Sequence, residues 1–206
     1  GTVTGVQTCA LPICWEGEFA DILAWIESLQ PPPYTGSIDR DLAAAGKQVF
    51  EANCVRCHGP QGPGTKSPEK MIPLDEIGTD PVRLHSLSDD FRQSMHKSWF
   101  GEYGKHEYNL APTGYVAPPL NGIWASAPYF HNGSVPTLWH LLHPEQRPVV
   151  WRRTMHGYDH QKLGLEVEAF QELPAGVQRA DERREYFDTR KKGKSAAGHQ
   201  IGRAHV

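Results

Sequence analysis

Five consecutive residues, Cys54-Val55-Arg56-Cys57-His58, constrain this chain more than any other feature. Two thiols two residues apart, with an imidazole directly after the second, form the pattern on which a porphyrin is covalently attached. The thiols add across its two vinyl groups, and His58 falls beneath the iron as proximal ligand. A Cys-x-x-Cys pair by itself also occurs in zinc sites and redox dithiols. A four-cysteine zinc site would have to draw on Cys9 and Cys14, whose spacing is loose, and would leave His58 without a role. The pattern therefore predicts one haem c, held by Cys54 and Cys57 and ligated by His58.

The remaining composition suits such a cofactor. At 206 residues the chain is long enough for one good core or two small ones. A net charge of −3 argues against a nucleic-acid binder. Mean hydropathy is −0.55, and no apolar run approaches the roughly twenty residues of a membrane helix. Twenty glycines and 17 prolines, with sparse helical periodicity, predict a loop-rich domain in which a haem supplies core area that side chains do not. Covalent haem attachment implies a periplasmic or extracellular protein, for which a signal peptide is expected; none is legible. Residues 3–13 (VTGVQTCALPI) and 201–206 (IGRAHV) read as translated sequencing adapter. The expectation is that residues 1–13 and 201–206 are foreign, that Cys9 and His205 have no role, and that the natural protein continues at both ends.

Along the chain, residues 19–29 carry apolar side chains at 19, 22, 23, 26 and 29, a helical stripe that Pro31–Pro33 ends. Residues 14–33 thus read as the end of a preceding domain plus a Pro-rich linker, and 34–200 as the haem domain. Asp39 is placed to cap a helix running through Leu42, Gly46, Val49 and Phe50 into the cysteine motif. Residues 73–84 read as turns, 87–99 as a helix capped by Ser88 or Asp89, and 136–142 as a short helix. Residues 148–153 and 165–170 read as short strands, and 179–184 and 190–194 as solvated charged surface. The predicted fold class is mainly α, a class-I-like cytochrome c core with long Gly/Pro-rich loops and a short β hairpin, its last helix missing.

The stretch YVAPPLNGIWASAPYFHNGSVPTLWHLL at 115–142 resembles the segment after the haem in the dihaem cytochrome c peroxidase superfamily. PLDEIGTDPVRL at 73–84 and YFDTRKKGKSAAGH at 186–199 are similar to the C-terminal haem domain of its rubber-oxygenase-like branch. That resemblance implies His199 as distal iron ligand; by its residues alone it reads equally as a solvated histidine in a basic tail. The peroxidase branch uses a methionine there instead, and Met155 is its nearest match. Met95 and His96, on the predicted helix, and Met71, soon after the haem loop, are weaker alternatives. Trp124, Tyr129 and Phe130 are expected to wall the haem crevice. His131 either orients its loop or contacts a haem propionate, and Arg83 either pairs with a propionate or is surface.

Two functions follow from the resemblance. One is electron transfer within a larger multihaem protein, to another haem domain of the same protein or to a redox partner, with no nucleic acid involved. The other is membership of a peroxidase or oxygenase in which a haem reacts with peroxide or dioxygen. In the rubber-oxygenase-like branch that chemistry belongs to the N-terminal haem.

Overall fold

A computed structural model describes residues 16–62, 65, 68–98 and 111–200. The adapter-like ends, Cys9, Cys14 and the end of the helix predicted at 87–99 lie outside the described residues. The chain divides into two compact units, Gly1–Pro33 and Tyr34–Val206. In the first, helix α1 (Glu16–Ser28) carries the expected stripe, with Phe19, Ile22, Leu23 and Ile26 all exposed. Ser28 Oγ donates to the Trp25 carbonyl at 2.7 Å at its end, ahead of Pro31. Among the described residues, no helix is long and apolar enough to cross a membrane.

In the second unit, α2 (Arg40–Asn53) begins where Asp39 accepts hydrogen bonds from the Asp41 and Leu42 amides, both at 3.0 Å. It runs through Cys54 into the short α3 (Val55–His58). Strand β1 (Met71–Pro73) passes directly into α4 (Leu74–Ile77) and pairs antiparallel with β2 (Gly114–Val116). Helix α5 (Asp89–His96) starts at Ser88, whose hydroxyl accepts from the Phe91 amide. Helix α6 (Leu138–Leu142) is capped by Thr137. Strand β3 (Val150–Asp159) lies between β4 (Gly164–Phe170) and β5 (Tyr186–Asp188), antiparallel to both. The short α7 (Ala180–Arg184) precedes β5.

The mainly α expectation is overturned. Two antiparallel sheets stand beside short helices, and the sheet around β3 carries much of the burial. β3 hides only its start, the adjacent Val150 and Trp151, and is half-buried or exposed from Arg152 to Asp159, so no alternation of buried apolar residues marks its length. Its partner β5 is three residues set in a charged stretch that reads as surface. Residues 73–84, expected as turns, begin with the end of β1 and α4. Conversely, α2 and α5 bury no side chain, and a Cβ at Gly46 would meet nothing within 4 Å.

The main core forms where loop 128–137 lies against β3. Val135 and Val150 are fully buried, Tyr129 and Val135 exchange backbone hydrogen bonds, and Trp151 Nε1 donates to the Ser134 carbonyl. A second, smaller cluster joins Cys57, Ile72 and Ala117, with Ile77 packed against it. It links the cysteine motif to the β1–β2 ribbon.

His140 sits in the main body at 8% exposure, its Nδ1 2.8 Å from Thr137 Oγ1. Burial, and secondly the charge of Lys162, hold its imidazole down from 6.5 to about 4. The neutral form is therefore favoured by folding. Its contribution is complete above pH 6.5 and is lost as pH falls from 6.5 toward 4, because the unfolded chain takes up the proton first. The shift corresponds to about 3 kcal/mol at most. The expected result is a urea midpoint that falls across this pH window in the parent protein and falls less in His140→Gln.

Candidate haem site

The cysteine motif is shaped by local backbone bonds. Cys54 closes α2, and its carbonyl accepts from the Cys57 and His58 amides at 3.1 and 3.0 Å. This single turn places Cys54 half-exposed, Cys57 buried, and His58 beside them. Burial, and then the neighbouring Cys57, raise the Cys54 thiol above its ordinary value, so the free thiol is the protonated form. Arg56 turns outward to Glu76 of α4 at 2.5 Å, tying the motif to the segment that follows β1.

The orientation of His58 is set from elsewhere. Its Nδ1 lies 2.8 Å from the Pro118 carbonyl, so that nitrogen carries the proton and donates. That leaves Nε2 as the ring nitrogen an imidazole so held would offer to a metal. Pro118 is presented by the β1–β2 ribbon, which continues into Ala117, whose amide bonds the Lys70 carbonyl at 2.9 Å. Nothing in the sequence signals Pro118. A carbonyl partner is a matter of backbone path, and the residue type bearing it carries no chemical mark.

His199 lies across from His58, the ring centroids 6.4 Å apart and the planes inclined by 55°. Its amide donates to the Ile77 carbonyl at 2.7 Å. The residue before it, Gly198, has φ +89, and a Cβ there would fall 2.4 Å from the Gly78 carbonyl carbon and 2.5 Å from the Thr79 amide nitrogen. The two stretches 73–84 and 186–199 thus meet backbone to backbone, and only glycine permits it. Asp80 adds a second tie, accepting from the Ser195 amide at 3.0 Å and from the Val82 amide at 2.9 Å. Asn132 adds a third, donating to the Ser195 carbonyl at 2.9 Å.

Burial, and secondly the charge of His58, lower the His199 imidazole to about 4, so it is neutral at pH 7. Its Nδ1 is buried with no hydrogen-bond partner among the described residues. A buried ring nitrogen left this way costs free energy unless a further group satisfies the ring.

The haem fits this arrangement. A metal–imidazole bond is about 2 Å, so two imidazoles on opposite sides of one iron have centroids roughly 6–6.5 Å apart. His58 and His199 stand at that separation. Among the described residues, no group of three or more His, Cys, Asp and Glu converges as a bare ion would need.

Of the residues expected to wall the crevice, Phe130 is beside the pair, its ring 6.3 Å from that of His199. Tyr129 belongs to the main core, its hydroxyl donating to the Ile123 carbonyl, and burial pushes its phenol up. Trp124 meets Tyr34 and Tyr158 edge-on. His131 stacks on Tyr115 at 4.2 Å, and its Nε2 is buried without a partner among the described residues. Arg83 donates to the His131 carbonyl at 3.4 Å. The Met155 side chain is 98% exposed, and Met95 and His96 lie on α5. Met71 lies in β1, where its sulfur receives the Thr113 hydroxyl at 3.8 Å.

Glycine at 198 and glycine at 46 should answer differently to the same methyl group. Gly198→Ala forces backbone apart beside His199 and is expected to cost about 1–3 kcal/mol. Gly46→Ala lies in open space on a helix and is expected to be neutral or to stabilise by up to about 1 kcal/mol. Urea midpoints at unchanged slope measure both.

Comparison with known proteins bears on this site. The uncharacterized protein y4iM of Sinorhizobium fredii (strain NBRC 101917 / NGR234) is 32% identical over 200 residues, covering 85% of this chain and 44% of its own length. The uncharacterized protein y4iJ of the same organism is 29% identical over 230 residues, covering 84% and 37%. The chain thus spans less than half the length of these curated relatives. Residues 114–152 match the family described as RoxA-like, cytochrome c-like. That stretch contains Pro118, Phe130, His131 and the start of β3, so the partner of His58 and part of the surroundings of His199 lie within the stretch that is similar to this family.

Proposed function

We propose that this chain is a c-type cytochrome domain that binds one haem c and carries electrons within a larger multihaem protein. In this reading Cys54 and Cys57 would anchor the haem, and His58 and His199 would bind its iron. The observation that carries it is the pair of facing imidazoles, 6.4 Å apart, one of them held through its Nδ1 by the Pro118 carbonyl. A bound haem supplies a one-electron ferric/ferrous couple, whose potential the axial ligands and their surroundings set. Two histidine ligands give a lower potential than histidine with methionine.

The chain's own residues then have defined tasks. His58, by donating from Nδ1 to Pro118, is held in the orientation that would present Nε2 to the iron, and that bond strengthens it as a ligand. Ile77, Gly78 and Asp80 hold the tail that carries His199. Phe130 covers the flank of His199, excluding water and lowering the local dielectric. With His58 and His199 both available to the iron, the site would favour electron transfer over binding of peroxide or dioxygen. The electron partner is another haem domain of the same protein or a separate redox protein, in the periplasm or outside the cell.

The test is spectroscopic. The protein, made with cytochrome c maturation, should stain for covalent haem and give a low-spin, six-coordinate ferric spectrum. His199→Ala should turn that spectrum high-spin. A colourless, zinc-loaded product sinks the haem reading, and a spectrum unaffected by His199→Ala sinks the distal ligand.

A further inference from the structure

We propose that Arg147 is the positioning residue of His199, and that its charge would raise the potential of a haem bound by His58 and His199. The inference rests on the ligand reading above and goes beyond it to a residue outside the ligand set.

Arg147 follows the short 3-10 turn Pro144–Gln146 and is half-buried. Its guanidinium joins three separate segments. Nε donates to the His140 carbonyl and Nη2 to the Leu141 carbonyl, both at 2.9 Å, satisfying carbonyls left free at the end of α6. Nη1 donates to the Ala196 and Gly198 carbonyls at 2.5 and 2.8 Å, and so grips the tail immediately before His199. Its Cζ stands 5.0 Å above the ring of Phe130, which itself flanks His199.

A planar fork is the only side chain that makes these bonds together. Lysine offers the same charge from one point and cannot span α6 and the tail at once. Residues 189–199 contain no regular helix or strand that could hold His199 by itself. The tail is fixed by the Gly78 contact on one side and by Arg147 on the other.

The charge has a second consequence. All four hydrogen bonds of Arg147 end on carbonyl oxygens, and none on a carboxylate. The cation is therefore held by dipoles; the Glu145 carboxylate acts on it through space, without a hydrogen bond. In a half-buried setting its field reaches neighbouring groups with little screening. It disfavours an added positive charge at the iron, which is the ferric state, and so favours reduction.

Arg147→Lys and Arg147→Gln separate the two roles in the haem-loaded full chain. Cyanide must displace the distal ligand to bind ferric haem, so its association rate reports how firmly His199 is seated. Both variants lose the fork, and both are expected to bind cyanide about tenfold faster than the parent. Only Arg147→Gln loses the charge, and its midpoint potential is expected to fall below that of Arg147→Lys. Parent-like cyanide association in either variant, or equal potentials in the two, overturns the proposal. Loss of the covalent haem stain in both overturns it too, because Arg147 would then serve the fold as a whole. His199→Ala run alongside keeps the two readings apart. If it leaves the spectrum unchanged, the ligand reading fails. If it turns the spectrum high-spin while the Arg147 variants stay parent-like, only the present proposal fails.

Discussion

The hydrogen bond from His58 Nδ1 to the Pro118 carbonyl joins two levels of this structure that would otherwise be independent. Local helical geometry brings Cys54, Cys57 and His58 onto one turn, but a helical turn does not decide how an imidazole rotates about its own side-chain bonds. The distant carbonyl does. It selects one tautomer and one ring orientation, and thereby states which nitrogen faces the cofactor. The β1–β2 ribbon, only three residues wide in each strand, matters chiefly because it delivers that carbonyl. Ile72 and Ala117 from the same ribbon pack against Cys57, so attachment and orientation share one support.

The opposite wall is assembled by a different logic. His199 lies on a tail without regular secondary structure, and such a segment holds a side chain only if its backbone polar groups are taken up elsewhere. Here they are, by Ile77, Asp80, Asn132 and Arg147. Asp80 is 4% exposed and spends both carboxylate oxygens on amides, while its own carbonyl accepts from Tyr115. The stretch around Ile77-Gly78-Thr79-Asp80 and the stretch ending Gly198-His199 are therefore two halves of one joint.

What the sequence revealed follows from how local each feature is. The cysteine motif, the Asp39 cap, the Ser88 cap and the helical stripe of α1 are written in residues within a few positions of one another, and each is found where it was expected. Strand β5 and the length of β3 were not legible, because their pairing is with segments far off in sequence and their exposed faces are charged. Pro118 and Arg147 were missed for the same reason. One contributes a carbonyl, the other binds four carbonyls, and neither leaves a pattern in the side chains around it. The error in fold class has this origin too: helices announce themselves by period, whereas a two-ribbon architecture with loop-borne core residues does not.

A helix such as α2, with 14 residues and none buried, forms no core of its own. Ordering each residue costs about 1–2 kcal/mol in backbone entropy, while a fully buried aliphatic side chain returns about 1.5–3 kcal/mol. The cluster at the cysteine motif has three buried members and one partner. On those magnitudes it cannot hold the motif, the ribbon and the tail together by side-chain burial alone. Directional bonds at His58, Asp80 and Arg147 supply the geometry, and the haem of the proposed function would add apolar area where the side chains leave it thin. The same few polar contacts that orient His58 and His199 are thus those that keep the fold around them in register.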